Sequence, residues 1–165
     1  MDIELTKEVV RDLFEYEPET GFLIRRKSAG TRSKIGDAAG THDKYGYRTV
    51  QIANKKYFVH RVVWLHVHGQ IPVNVIDHIN GIKDDNRLSN LRDVTSSENC
   101  QNLRKAKSHN KSGLQGVSWD FEKSKWRTQI TIDGRAKFLG RFETKELAYE
   151  CYLEAKRRLH TTCTI

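Results

Sequence analysis

The chain has 165 residues, with 29 Lys and Arg against 21 Asp and Glu, a formal net charge of +8 and 37% hydrophobic residues. One large core is not expected at this size and apolar content, whereas two or three small modules are. The positive excess suits a polyanionic partner. No apolar run approaches membrane length, no Lys-rich helix carries an aromatic face, and Asp2 and Glu4 break any signal-peptide pattern. The chain therefore reads as cytoplasmic, with no membrane partner. Cys100, Cys151 and Cys163 form no C-x-x-C pair, so neither a disulfide framework nor the usual structural zinc site is encoded.

Residues 1–17 are expected to form a helix, because Leu5, Val9, Val10, Leu13 and Phe14 recur at helical spacing between a Thr6 cap and the Pro18 stop. Glu19, Thr20 and Gly21 make a turn into a strand that begins at Phe22. After a loop rich in Gly, Ser and Lys, 47–53 and 57–60 read as a hairpin turning at Asn54-Lys55-Lys56. Val50 and Ile52 share one face of it, Thr49 and Gln51 the other. A two-stranded ribbon fits the DNA major groove, which makes Arg48, Thr49, Gln51, Lys55 and Lys56 candidate contacts. A small sheet with a solvated face gives the same pattern. A short amphipathic helix follows over 59–68, ended by Gly69. Its His60, His66 and His68 lack supporting cysteines or carboxylates and are read as packed helix residues rather than metal ligands.

The richest stretch is 75–101, VIDHINGIKDDNRLSNLRDVTSSENCQ. A β-branched run ends in Asp77-His78. A loop carrying Asn80, Gly81, Asp84, Asp85 and Asn86 leads back to hydrophobic sequence at Leu88 and Leu91, and Thr95 with Glu98 has the capping-box spacing of a helix start. The order is strand, long loop, strand, helix. Asn90 enters the second strand and Asn99 lies early on the helix. Each residue alone has an ordinary reading as a turn former, a cap or a packed strand residue.

Together with VHRVVW upstream, DHINGIKDDNRLSNL and VTSSEN resemble the HNH nucleases, and among them the free-standing homing endonucleases of phages and mobile introns. The resemblance implies a ββα-metal centre in which Asp77 and Asn99 hold one divalent ion, His78 is the general base and Asn90 orients the site. Physical chemistry is in accord. Phosphodiester hydrolysis needs an activated water and a means of absorbing charge on the phosphate and leaving oxygen. Magnesium, with manganese as its substitute, is held by few protein oxygens, and a histidine takes a proton near neutrality.

The segment 102–112 is a basic linker whose Arg104, Lys105, Lys107 and Lys111 are candidates to track phosphates; a solvated spacer has the same composition. From Gly113 strands are expected at 114–119, 125–132 and 136–141, then a helix over about 145–159. Its stripe of Ala148, Cys151, Tyr152, Ala155 and Leu159 should cover one sheet face. Alternation puts Trp126, Thr128, Ile130 and Ile132 on that face and Lys125, Arg127, Gln129 and Thr131 on the other. SGLQGVSWD, KWRTQITIDG and FLGRFETKELAYECYLEAKRRLH resemble the ethylene-response-factor (apetala-two) type DNA-binding domain. That resemblance implies that the sheet face opposite the helix meets the major groove, with Ser118 and Phe138 joining Lys125, Arg127, Gln129 and Thr131. Arginines that read bases in the plant domains correspond to Ser118, Thr131 and Ala136, so the plant target is not expected.

The expected fold is α+β, arranged as an N-terminal helix and β-hairpin module (1–58), the HNH unit (59–101), the linker (102–112) and a three-stranded sheet packed on one helix (113–165). The expected function is site-specific, metal-dependent hydrolysis of double-stranded DNA in a phage or its bacterial host. One site per chain predicts nicking by a monomer on DNA. The rival readings are a transcription regulator that retains the nuclease fold only as scaffold and a non-specific nuclease.

Overall fold

The structure, a computed structural model, describes residues 4–102, 106 and 110–160. It is an α+β fold built as two compact units, Met1–Val94 and Thr95–Ile165.

In the first unit, helix α1 spans Lys7–Leu13 and is capped by Thr6, whose hydroxyl accepts from Val9 N. The helix is shorter than its periodicity suggests: Phe14–Glu17 is strand β1, paired antiparallel with β2, Phe22–Arg25. The sequence Phe-Glu-Tyr-Glu satisfies the two-residue period of a strand as well as the end of a helical stripe, and pairing with β2 decides between them. Phe14 still enters the core beside Leu23. Strands β3 (Thr41–His42), β4 (Arg48–Ile52) and β5 (Lys55–Phe58) form a three-stranded antiparallel sheet in that order. The β4–β5 turn consists of Ala53 and Asn54, both at positive φ (46° and 63°), as a tight two-residue hairpin turn requires. Lys55 and Lys56 are therefore strand residues and not the turn.

Helix α2, Val59–His68, ends at Gly69, which at φ 77° returns its N–H to Leu65 O. Val59, Val62, Val63 and Leu65 bury its apolar face in a core shared with Val10, Phe14, Leu23, Val50, Ile52, Ile76 and Leu91. Strands β6 (Val75–His78) and β7 (Leu91–Val94) pair antiparallel, with Asp77 opposite Arg92 and His78 opposite Leu91. A 3-10 turn at Leu88–Asn90 delivers the intervening loop into β7.

In the second unit, helix α3 (Ser96–Gln101) opens with the capping box of Thr95 and Glu98. Strands β8 (Val117–Asp120), β9 (Lys125–Ile132) and β10 (Arg135–Phe142) form an antiparallel sheet with β9 central. Strand β8 starts later than the apolar pattern suggests, because Ser112 hydroxyl bonds to Leu114 O and Val117 O turn the preceding residues into a loop. Helix α4, Lys145–Leu159, covers one sheet face, where Ile130 packs with Tyr152 and Ala155. The approach is close at Gly116, where a Cβ would lie 2.2 Å from the Tyr152 ring. The alternation of β9 is as the sequence reads: Thr128 and Ile130 are buried, Arg127 and Thr131 exposed. Among the described residues no helix is long and apolar enough to cross a membrane.

Candidate active site and nucleic-acid interface

Strand β6 carries Asp77 and His78 into the protein, at 8% and 5% exposure. Because the register sets Arg92 opposite Asp77, its guanidinium Nε and Nη2 both donate to Asp77 Oδ2, at 2.9 and 2.6 Å. His78 Nε2 lies 3.2 Å from Asn86 Oδ1. Burial lowers the His78 pKa, against the opposing influence of the Asn86 bond and of Asp77, Asp85 and Asp84. Burial thus favours the neutral ring, the state a proton acceptor needs.

The loop between β6 and β7 is tied down from within and from outside. Asn90 closes it: its side-chain oxygen accepts from Asn80 N (2.9 Å), its amide donates to Asp85 O (2.8 Å), and its main-chain oxygen accepts from Ile79 N (2.9 Å). Asp85 accepts from Asn80 Nδ2 and from Arg87 Nε and Nη2. The Arg87 bonds hold its carboxyl at about 2. Asp84 reaches β4 and β3, accepting from Arg48 Nε (2.9 Å) and Nη2 (3.2 Å) and pairing with His42 Nε2 at 2.8 Å. Burial pushes the Asp84 carboxyl up, but the bonds from Arg48 and His42 outweigh it and leave it lowered. Strand β1 contributes Tyr16, whose hydroxyl donates to Asn86 O and accepts from Leu88 N.

Aromatic rings wall the site. His60 of α2 meets the His78 ring edge-on, with centroids 5.2 Å apart at 87°, and stacks on Phe58 at 9°. Tyr47 lies 5.7 Å from His60 and 6.0 Å from His78. Burial drives the His60 pKa down to about 3, so this ring is neutral throughout the working range. Asn86 and His60 are site residues that the sequence pattern did not single out. Asn86 stands in a polar run full of turn formers, and His60 is one of several histidines on its helix.

The other expected residues fall as follows. Asn99 lies on α3, half-buried, its N–H bonded to Thr95 O. In the β4–β5 hairpin Gln51, Lys55 and Lys56 are exposed. Thr49 is 5% exposed and its hydroxyl donates to Thr41 O, while Arg48 is occupied by Asp84. Lys111 is exposed; Arg104, Lys105 and Lys107 lie outside the described residues. On the open face of the C-terminal sheet, Ser118, Arg127 and Arg141 align across the three strands, and Gln129 pairs with Phe138. Both guanidiniums lie over the Phe138 ring, Arg127 at 5.7 Å and Arg141 at 5.1 Å. Asp120 accepts from Arg141 Nε, and Lys125 pairs with Glu143. Thr131 is exposed opposite Ala136. Arg141 was not marked by the sequence pattern; its register with Arg127 follows from the irregularity between Phe138 and Gly140.

Among the described residues no group of three or more His, Cys, Asp and Glu side chains is arranged to hold a metal. Residues 57–101 match the HNH endonuclease family. The chain is 36% identical over 102 residues to Protein 3.8 of Escherichia phage T7, spanning 61% of this chain and 83% of that protein. A solved structure of DNA binding and cleavage by the HNH homing endonuclease I-HmuI is similar with a TM-score of 0.41 at 24% identity, covering 83% of this chain and 75% of that one. With its HNH segment matched and most of a relative's length aligned at that identity, the chain belongs to the HNH endonuclease family.

Proposed function

We propose that the protein is a metal-dependent endonuclease of the homing type that cuts double-stranded DNA, and that a monomer on DNA nicks one strand at its single active site. The observation that carries this reading is a buried His78, its pKa lowered by burial, following Asp77 at the end of a strand in a chain of the HNH family. His78 takes a proton from water as the water oxygen bonds to phosphorus in line. The P–O3′ bond breaks with its electron pair on the 3′-oxygen, which is then protonated by solvent, leaving 5′-phosphate and 3′-hydroxyl ends. Asn90 keeps the loop closed around the histidine.

HNH nucleases generally depend on a divalent metal, and the donor set proposed here, the Asp77 carboxylate and the Asn99 amide oxygen, consists of the hard oxygens that magnesium takes, with manganese as its substitute. When bound, the metal supplies charge stabilisation to the phosphate and leaving oxygen. DNA contact is assigned to Gln51, Lys55 and Lys56 on the hairpin, to the linker cations Arg104, Lys105, Lys107 and Lys111, and to the open sheet face with Ser118, Lys125, Arg127, Gln129, Thr131 and Phe138. The face is read as an ethylene-response-factor type surface. Arg48 and Thr49 are engaged within the protein instead, Thr49 donating to Thr41 O and Arg48 pairing with Asp84 of the β6–β7 loop.

The test is conversion of supercoiled DNA to open-circle and linear forms, with magnesium or a chelator, by wild type and His78→Ala. Metal-dependent open circles that are absent in the variant support the reading. Prompt linear product points to paired sites. DNA that is bound but never cut, across substrates containing the selected binding sequence, favours a regulator instead.

A further inference from the structure

A neutral imidazole carries one N–H and one lone pair, and only the lone-pair nitrogen accepts a proton. Which nitrogen of His78 does so is set by what the other one faces. Nε2 faces Asn86 Oδ1 at 3.2 Å. The Asn86 amide has a defined orientation there, because its Nδ2 donates to Asp84 O at 3.2 Å within a side chain only 1% exposed. Turning the amide over would place an NH2 against the ring and an oxygen against a carbonyl oxygen. The acceptor Oδ1 therefore requires Nε2–H, and the lone pair falls to Nδ1.

The backbone that presents Asn86 is fixed in turn. Asn86 O accepts from the Tyr16 hydroxyl, which itself accepts from Leu88 N at 2.8 Å. The β1–β2 turn presses against the same residues: at Gly21, φ 78°, a Cβ would lie 2.4 Å from Arg87 N and 2.5 Å from the Asn86 carbonyl carbon. His60, edge-on at 5.2 Å, limits rotation of the His78 ring.

We infer that Asn86 is a positioning residue that holds His78 in its Nε2–H tautomer and thereby makes Nδ1 the atom that takes the proton from water. The catalytic half of this inference rests on the nuclease reading; the tautomer does not. Asn86 acts through His78 and needs no contact with DNA.

The experiment combines a tautomer readout with kinetics. Long-range proton–nitrogen correlation spectra of the isotopically labelled full chain are recorded above the histidine titration range, with His78 signals assigned by their loss in His78→Gln. Wild type is expected to show Nε2 protonated and Nδ1 bare. Asn86→Leu should mix the two tautomers and lower kcat on the order of 10- to 100-fold with KM unchanged. An Nδ1–H pattern in the wild type overturns the inference, and needs only the assignment variant to fold. Asn86→Leu cutting at the wild-type rate overturns it as well. A wild type with the expected tautomer but no cleavage of any substrate supports the assignment to Asn86 while removing the nuclease reading.

Discussion

Arg48 on β4 and Asp84 in the β6–β7 loop form a two-pronged ion pair, at 2.9 and 3.2 Å, across 36 residues of sequence. The Arg48 side chain is only 13% exposed, so the bond is shielded from solvent on one side. Arg48→Ala is expected to lower stability by about 1–2 kcal/mol, a charged hydrogen bond discounted for the exposure of Asp84. Equilibrium denaturation measures this. Turnover should fall more than DNA affinity does; the reverse result would assign Arg48 to the DNA surface.

Gly21 is expected to be intolerant of any side chain. An added Cβ meets backbone atoms of Asn86 and Arg87, which cannot swing aside as a flexible side chain does, and φ 78° is itself disfavoured for other residues. Gly21→Ala should cost about 1–3 kcal/mol. Its effect should also reach the His78 ring signals by NMR, far along the chain from the substitution.

Acid should destabilise the first unit through its buried histidines. The His60 pKa lies at about 3 in the folded chain against 6.5 for the free side chain, so below pH 6.5 the unfolded chain binds a proton that the folded one refuses. The stability is intact above 6.5 and is lost progressively as the pH falls towards 3, by up to about 1.4 kcal/mol per pH unit. Lowered values at His66 and His78 act in the same direction. Denaturant titrations across this range should show a shallower decline in His60→Leu.

The Arg92 guanidinium donates twice to Asp77 Oδ2 and so sets a positive charge on the carboxylate proposed to bind the metal. Arg92→Gln removes that competing charge. Cleavage by this variant is expected to reach half its maximum at a lower magnesium concentration, with stability reduced by about 1–3 kcal/mol through loss of the partly buried pair. A raised magnesium requirement would show instead that Arg92 positions the carboxylate.

Arg127 and Arg141 share the Phe138 ring on the open face of the C-terminal sheet. Each Arg→Ala change is expected to weaken DNA binding and, where the side chain meets a phosphate, to reduce the slope of log affinity against log salt by about 0.9. Turnover at saturating DNA should be preserved. Filter-binding or anisotropy titrations at several salt concentrations separate these effects, and unchanged affinity in both variants would remove this face from the interface.

The order of elements around Asp77 was legible because each left a local mark: a β-branched run into Asp77-His78, a Thr95–Glu98 cap, and a two-residue alternation in 125–132. What was not legible depends on distant partners. Phe14 satisfies helical and strand periods alike, and only β2 chooses between them. Thr49 alternates as an outward residue yet is buried, because β3 pairs alongside it and Thr41 O accepts its hydroxyl proton. Asn86 looks like one more turn former until folding sets it against His78. Arg141 gains its neighbour Arg127 only through a shifted strand register.

The β6–β7 loop is fastened by Tyr16, His42 and Arg48, all upstream of the segment 57–101 that matches the HNH family. That segment is consequently not a portable cassette. A graft cut at its borders would keep Asp77, His78 and Asn90 but leave behind the posts to which the loop is moored. Exchange between relatives therefore has to carry Tyr16, His42 and Arg48 together with the loop they hold.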